Sequence, residues 1–149
     1  MSKLSDSLQA ELDRGYTGYE LQRMAGVSAR CIQWWRERGI IRAKRFGKYR
    51  IFTPREALSG LVVTDLRKRG IPMTVARRAA RYIRFRKVEL RRFLIIDVET
   101  NGIINVVDSA VVPFFAGVKG AYLVDLQPLQ EQLAQPHPFR KLRGRMRRV

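Results

Sequence analysis

The sequence predicts an α+β fold, in which a helix-rich N-terminal part precedes a small antiparallel β-sheet domain with a short C-terminal helix. Three observations predict this class. Helix caps and apolar residues at helical spacing recur through residues 16–84. Beyond residue 90 the apolar residues follow one another as in β-strands, and Asn101-Gly102 is typical of a hairpin turn.

The helical part opens with two short helices separated by a glycine turn. Thr17 and Glu20 are expected to form a capping box, in which each side chain bonds to the backbone amide of the other residue. Ser28 is expected to be a second N-cap, for a helix from about residue 29 to residue 38 that Gly39 ends. Two capped helices around a glycine turn predict a helix-turn-helix.

A basic hairpin and two further helices follow this motif. Residues 42–52 are expected to form the hairpin, with its tip at residues 46–48, which would complete a winged helix-turn-helix. Capping residues and prolines predict a third helix over residues 53–69 and a fourth from residue 72 to about residue 84. The fourth helix is expected to point a row of arginines outward, namely Arg77, Arg78, Arg81 and Arg84.

The C-terminal half is expected to be a sheet. Strands are predicted over residues 93–98, 103–107 and 121–126, and a short helix is predicted to begin near Pro128. Residues 109–120 are either a loop or the first turn of a helix, because a proline permits both.

The predicted sheet carries apolar side chains on both faces. About forty residues cannot easily bury two faces alone, so we expect one face to pair with a second subunit. The residues expected at that interface are Phe93, Ile95, Ile104, Val106, Phe114 and Leu123.

Charge separates the two halves of the chain. The net charge is +17, of which residues 1–92 hold +15, while residues 93–139 are acidic and residues 140–149 add six positive charges. Such a distribution favours a polyanion at the N-terminal part. The arginine row of the fourth helix is open to a second interpretation, as solvated surface.

The second helix carries the candidate reading surface. Ile32 and Trp35 are expected to pack, and the opposite face carries Arg30, Gln33, Trp34 and Glu37. Arginine can donate two hydrogen bonds to guanine and glutamine can pair with adenine in the major groove, so Arg30 and Gln33 are the base-contact candidates. Helix geometry alone leaves Trp34 open between a DNA contact and a core residue.

The wing carries candidate contacts of a second kind. It would place four cations beside phosphates, namely Lys44, Arg45, Lys48 and Arg50.

Taken in order, these motifs resemble the DNA-binding domain of the MerR family. The resemblance covers about residues 16–84 and rests on Thr17-Gly-Tyr-Glu-Leu21, Ala25-Gly-Val-Ser28, Trp34-Trp35, Gly47-Lys-Tyr-Arg-Ile-Phe52, Pro54-Arg-Glu56 and Leu66-Arg-Lys-Arg-Gly-Ile71. It implies a homodimer on an inverted repeat, with Tyr49 and Arg50 on backbone phosphates. The full candidate DNA-binding set is Thr17, Arg30, Gln33, Trp34, Arg36, Lys44, Arg45, Lys48, Tyr49 and Arg50.

The chain departs from this family in three places. The paired tyrosines usual in the recognition helix are Trp34 and Trp35 here, and the last wing aromatic is Phe52. The long antiparallel dimerisation helix usual in the family is replaced by the predicted sheet.

Catalysis, metals and cofactors are not predicted. A single cysteine, Cys31, excludes a disulfide framework and a multi-cysteine zinc site, and it is either a half-buried apolar residue or a redox switch. The only histidine, His137, lies between two prolines in a polar tail.

No signal peptide or membrane span is found, so we expect a cytoplasmic, nucleoid-associated protein.

The sequence therefore predicts four segments and one function. The segments are an N-terminal helical extension over residues 1–15, a DNA-binding domain over 16–91, a dimerisation or interaction domain over 92–134 and a disordered basic tail over 135–149. The predicted function is a sequence-specific double-stranded DNA-binding transcription regulator, acting as a dimer on a partly palindromic site. The alternatives are an antitoxin-type protein that binds a protein partner through residues 92–134 and autoregulates its operon, and an architectural DNA-binding protein.

Overall fold

The computed structural model describes residues 15–46, 49–86, 88–115 and 119–134. The helical part comprises β1 (Tyr16–Thr17), α1 (Gly18–Ala25), α2 (Ala29–Glu37), β2 (Lys44–Phe46), β3 (Tyr49–Phe52), α3 (Pro54–Lys68) and α4 (Met73–Phe85). The C-terminal part comprises β4 (Phe93–Asp97), β5 (Ile103–Val106), a 3-10 turn (Ser109–Val111), α5 (Val112–Phe115), β6 (Ala121–Asp125) and α6 (Leu126–Ala134).

The predicted helix starts are confirmed by the cap geometry. Thr17 Oγ1 accepts from the Glu20 amide at 3.2 Å, and Glu20 Oε1 accepts from the Thr17 amide at 3.0 Å. Ser28 Oγ accepts from the Cys31 amide at 3.1 Å. Each cap satisfies amides that the first turn of a helix leaves unpaired, so α1 and α2 begin where the sequence predicts.

The wing contains a strand that the sequence did not predict. β1 pairs antiparallel with β3, which also pairs with β2, so the sheet order is β1-β3-β2. Two residues are too few to show the alternation that identifies a strand. Thr17 consequently ends β1 and caps α1 at the same time, which fixes the first helix to the wing.

The second sheet confirms the three predicted strands and adds their order. β4 lies in the middle and pairs antiparallel with β5 and β6. The hairpin loop is longer than a two-residue turn: Asp97 accepts from the Asn101 amide at 2.9 Å, and Asn101 has a φ of 58°. Residues 109–115 form two short helical turns, and α6 begins two residues before Pro128.

One apolar core joins the two parts of the chain. Leu94, Ile96 and Val124 of the sheet are buried in the same cluster as the helices of the N-terminal part. Hydrogen bonds also cross between them, from Tyr16 Oη to the Leu133 carbonyl at 2.5 Å and from Gln132 Nε2 to the Met24 carbonyl at 2.8 Å. One face of the sheet is therefore covered within the chain itself.

Some predictions fall outside the described residues. These are the N-terminal helix, the wing tip with Lys48, the side chain of Phe114 and the tail from residue 135. In the parts of the chain that the structure describes, no helix is long and apolar enough to cross a bilayer.

Candidate nucleic-acid interface

The helix α2 is seated through the face that the sequence assigned to the core. Ile32 and Trp35 are 4% and 2% exposed. Trp35 lies against Gly60 of α3, where a Cβ atom would stand 3.2 Å from Cζ3 of the indole. The absence of a side chain at residue 60 is what lets α2 approach α3 this closely.

The opposite face of α2 is open to solvent. Arg30, Gln33 and Glu37 are exposed, and Gln33 Nε2 donates to Glu37 Oε1 at 3.0 Å. Trp34 is 39% exposed, with the Arg38 guanidinium 5.5 Å from its ring centroid. Of the two interpretations of Trp34, its place is on the surface, next to the side chains expected to read bases.

Arg30 is the least engaged of these side chains. It is exposed and makes no hydrogen bond or ion pair with any residue that the structure describes. Gln33, by contrast, has one of its amide hydrogens held by Glu37, while its oxygen is left for another donor.

Positive charges from α2 and the wing meet beside this face. Burial and the neighbouring Arg50 charge lower the pKa of the Arg36 guanidinium, and Glu37 acts in the opposite direction. Arg50 is exposed and pairs with Arg45 across the two wing strands. Because the two positive charges repel each other, both would attract an anion that approached this surface.

The remaining candidates have mixed roles. Lys44 and Arg45 are exposed on β2, whereas Tyr49 and Thr17 are half-buried. Thr17 Oγ1 is already engaged as the cap of α1. Its hydroxyl hydrogen remains able to donate, because the cap uses the oxygen only as an acceptor.

The C-terminal end of α2 is held by arginines that the sequence did not assign to it. Arg84 Nη1 donates to the carbonyls of Gly39 at 2.6 Å and Ile40 at 3.2 Å. Arg77 Nη2 donates to the Arg38 carbonyl at 2.7 Å. The prediction that Arg84 points into solvent is wrong, because its side chain is only 8% exposed. The one sequence signal was indirect: a helix end leaves carbonyls that need donors.

Other arginines are also used inside the protein. Arg55 donates to the carbonyls of Ile83 and Arg86 at the end of α4, and Arg67 donates to the Ile71 carbonyl at 2.9 Å. The net charge therefore overstates the number of cations that an external polyanion can meet.

Cys31 is half-buried and packs against the core. Burial raises the pKa of its thiol, which keeps it in the less reactive protonated form. The structure favours the apolar interpretation over a redox switch.

Five of the six predicted dimerisation residues, all but Phe114, lie on the sheet face opposite Leu94 and Ile96. Ile95 is fully buried within the chain. The residues around it are half-buried: Phe93, Ile104, Val106 and Leu123. Cross-strand pairs join Phe93 to Val106, and Ile95 to both Ile104 and Leu123. Ile95 is thus the centre of an apolar patch whose outer members keep accessible surface.

The helical part matches a known protein family. Residues 16–83 match the model of the family described as MerR HTH family regulatory protein. A comparison with curated proteins found no match.

Proposed function

We propose that this chain is a sequence-specific regulator of transcription that binds double-stranded DNA as a dimer. The premise is that residues 16–83 match the model of the family described as MerR HTH family regulatory protein. The observation that carries the proposal is the exposed face of α2, with Arg30 and Gln33 at its centre and its opposite face buried. A helix so presented fits the major groove. Such a regulator acts on the nucleoid, in the cytoplasm.

The proposed contacts divide by chemistry. Arg30 and Gln33 read base edges, because they are exposed and carry the donors and acceptors that guanine and adenine match. Arg36 and Arg50 bind backbone phosphates, since both carry a positive charge beside the exposed face of α2. The other backbone contacts of the proposal are Thr17, Trp34, Lys44, Arg45, Lys48 and Tyr49.

The proposed dimer forms through the second sheet. The half-buried side chains of Phe93, Val106, Ile104 and Leu123 share one face, which a second copy would cover by a two-fold contact. Two copies place two α2 helices on two half-sites, so a partly palindromic site follows from the symmetry.

Binding to defined duplexes tests the proposed contacts. A bound sequence is first selected from random duplexes, and affinity is then measured by fluorescence anisotropy on it and on a scrambled duplex. We expect the selected site to bind about a thousandfold more tightly at physiological salt. Arg30→Ala should reduce this preference. Arg50→Ala should weaken binding to both duplexes and lower the salt slope by about one.

The control variant is Arg91→Ala, an exposed arginine outside the proposed contacts. It should change the preference less than Arg30→Ala does and the salt slope less than Arg50→Ala does. Equal losses on both duplexes for Arg30→Ala and Arg50→Ala would contradict the assigned roles. Equal affinity of the unaltered protein for every duplex would instead favour the architectural alternative.

Sedimentation equilibrium tests the dimer. Leu123→Glu places a charge on the half-buried face and should shift the protein toward the monomer, whereas Gln130→Glu, on the exposed side of α6, should not. A monomeric unaltered protein at micromolar concentration would contradict this part of the proposal. A stoichiometric second protein bound to the same face, lost with Leu123→Glu, would favour the antitoxin-type alternative.

A further inference from the structure

The end of the recognition helix α2 is a cluster of carbonyl acceptors. The chain leaves the helix through Gly39, which has a φ of 71°, and the carbonyls of Arg38, Gly39 and Ile40 follow the last helical residue, Glu37. They lie next to the last carbonyls of α2, which carry the negative end of the helix dipole. Cationic donors are therefore favoured at these positions.

Two arginines of α4 supply those donors. Arg77 binds the Arg38 carbonyl at 2.7 Å, and Arg84 binds the next two carbonyls at 2.6 and 3.2 Å. The two side chains come from positions seven residues apart on one helix, which places them on the same face of α4. Two side chains on one face of α4 therefore reach the residues that follow α2.

Arg84 is itself fixed by a third element. Its Nε lies 2.7 Å from Glu56 Oε2 and 3.0 Å from Oε1, in the first turn of α3. The two side chains are 8% and 16% exposed. A planar guanidinium can bond a carboxylate on one edge and carbonyls on the other at the same time, so Arg84 joins the start of α3 to the end of α2.

This cluster adds a second attachment point to α2. The first is the buried face of the helix, with Ile32 in the middle of α2 and Trp35 packed against Gly60 in its last turn. The second holds the helix end, close to the surface: Arg38, whose carbonyl Arg77 binds, lies over the ring of Trp34. A rod held at its middle can still tilt, whereas a rod held at its middle and its end has a fixed direction.

We propose that Arg84, with Arg77 and Glu56, is a positioning residue for DNA recognition, fixing the angle at which α2 enters the groove without itself touching DNA. The inference rests on the proposed function. It assigns to α4 a role in specificity, distinct from the phosphate binding that its arginine content alone suggests.

The test compares Arg84→Lys and Arg77→Ala on the selected and scrambled duplexes across a salt series. Lysine keeps the charge but cannot bond Glu56 and two carbonyls together. We expect affinity for the selected duplex to fall about tenfold or more for Arg84→Lys, the effect of losing a charged hydrogen bond. Affinity for the scrambled duplex and both salt slopes should be unchanged. Arg81→Ala, an exposed arginine on the same helix, is the matched control.

The salt slope separates positioning from a phosphate contact. If Arg77→Ala lowers the slope by about one and weakens binding to both duplexes equally, Arg77 contacts DNA and the inference is overturned. Unchanged affinity of Arg84→Lys for the selected duplex would overturn it as well.

A measurement without DNA keeps this test separate from the proposed function. In the free protein, the backbone carbonyl carbon signals of Gly39 and Ile40 should shift in Arg84→Lys, and amide exchange should quicken at the end of α2 but not in α3. If these signals change but the unaltered protein shows no preference between duplexes, the proposed function is contradicted, while the contact of Arg84 with the end of α2 is confirmed. If the carbonyl signals do not shift, Arg84 does not hold the end of α2 and the inference is overturned.

Glu56→Gln and the double variant distinguish loss of the Arg84–Glu56 contact from a general loss of stability in Arg84→Lys. The duplex preference is measured in each variant. Because both side chains act in one contact, the double variant should lose less duplex preference than the two single losses combined. Additive losses would show that Arg84 and Glu56 act independently and would overturn the shared positioning role.

Discussion

The helix α2 and the strand β4 each have two faces, but they differ in which faces are buried. In α2, one face is buried through Ile32 and Trp35, and the other face is exposed to solvent and carries charged and polar side chains. In β4 both faces are apolar: Leu94 and Ile96 enter the common core, and Ile95 is buried on the other side. The first arrangement leaves a surface that suits a polyanion, whereas the second leaves an apolar rim that suits a protein.

The neighbouring tryptophans of α2 give the sharpest way to break this comparison. Trp35→Ala removes a side chain that is 2% exposed and should lower the free energy of unfolding by about 3–5 kcal/mol. Trp34→Ala removes one that is 39% exposed and should stay within about 0.5 kcal/mol while weakening DNA binding. Urea unfolding measures both. Similar losses of stability would contradict the assignment of one tryptophan to each face.

The contact between the two parts can be weakened by a single hydroxyl. Tyr16→Phe removes the bond from Oη to the Leu133 carbonyl, which is buried, and should lower the free energy of unfolding by about 1–3 kcal/mol. Gln132→Ala, whose bond to the Met24 carbonyl is only partly buried, should have a smaller effect. If Tyr16→Phe leaves urea unfolding unchanged, this link does not stabilise the packing of the sheet on the helices.

The smallest effect is expected at the edge of the sheet. A hydrogen bond from Arg92 holds the pKa of Asp125 below its usual range. A carboxylate whose pKa is lowered by folding adds stability above its unfolded pKa and loses it as the pH falls. Asp125→Asn should therefore be slightly less stable at pH 7, by a small amount because the pair is partly exposed.

Thermal unfolding as a function of pH checks this prediction. Asparagine keeps the shape of the side chain and can still accept from the Gln127 amide, so only the charge is lost. The difference from the unaltered protein should shrink as the pH falls through the lowered pKa of the Asp125 carboxyl. A difference that stays constant as the pH falls would show that the effect is not electrostatic.

Local chemistry explains which parts of the fold the sequence predicted. Thr17, Ser28 and Thr53 each accept from an amide three residues ahead, so each helix start can be predicted from one turn of chain. The three strands of the second sheet could be predicted because each is also a short continuous segment, rich in apolar residues. What joins them could not be predicted: the order β5-β4-β6 and the pairing of Tyr16 with Phe52 connect residues far apart in sequence.

The same limit applies to the candidate site. The exposed and buried faces of α2 follow from a helical period that one segment displays. The roles of Arg84 and Arg77 depend on carbonyls more than thirty residues earlier in the chain. A charge pattern cannot show this, because an arginine that binds a carbonyl and one that faces water look alike in the sequence.

The arginines that close helix ends have a consequence for redesign. A version of this protein with lysine at every arginine position would keep its net charge of +17 and nearly the same long-range field. It would lack the forked groups that Arg55, Arg77 and Arg84 place on backbone oxygens. Such a molecule would still attract polyanions, but the end of α2 would be held less firmly. Under the proposed function, its preference for one DNA sequence over another would therefore be weaker.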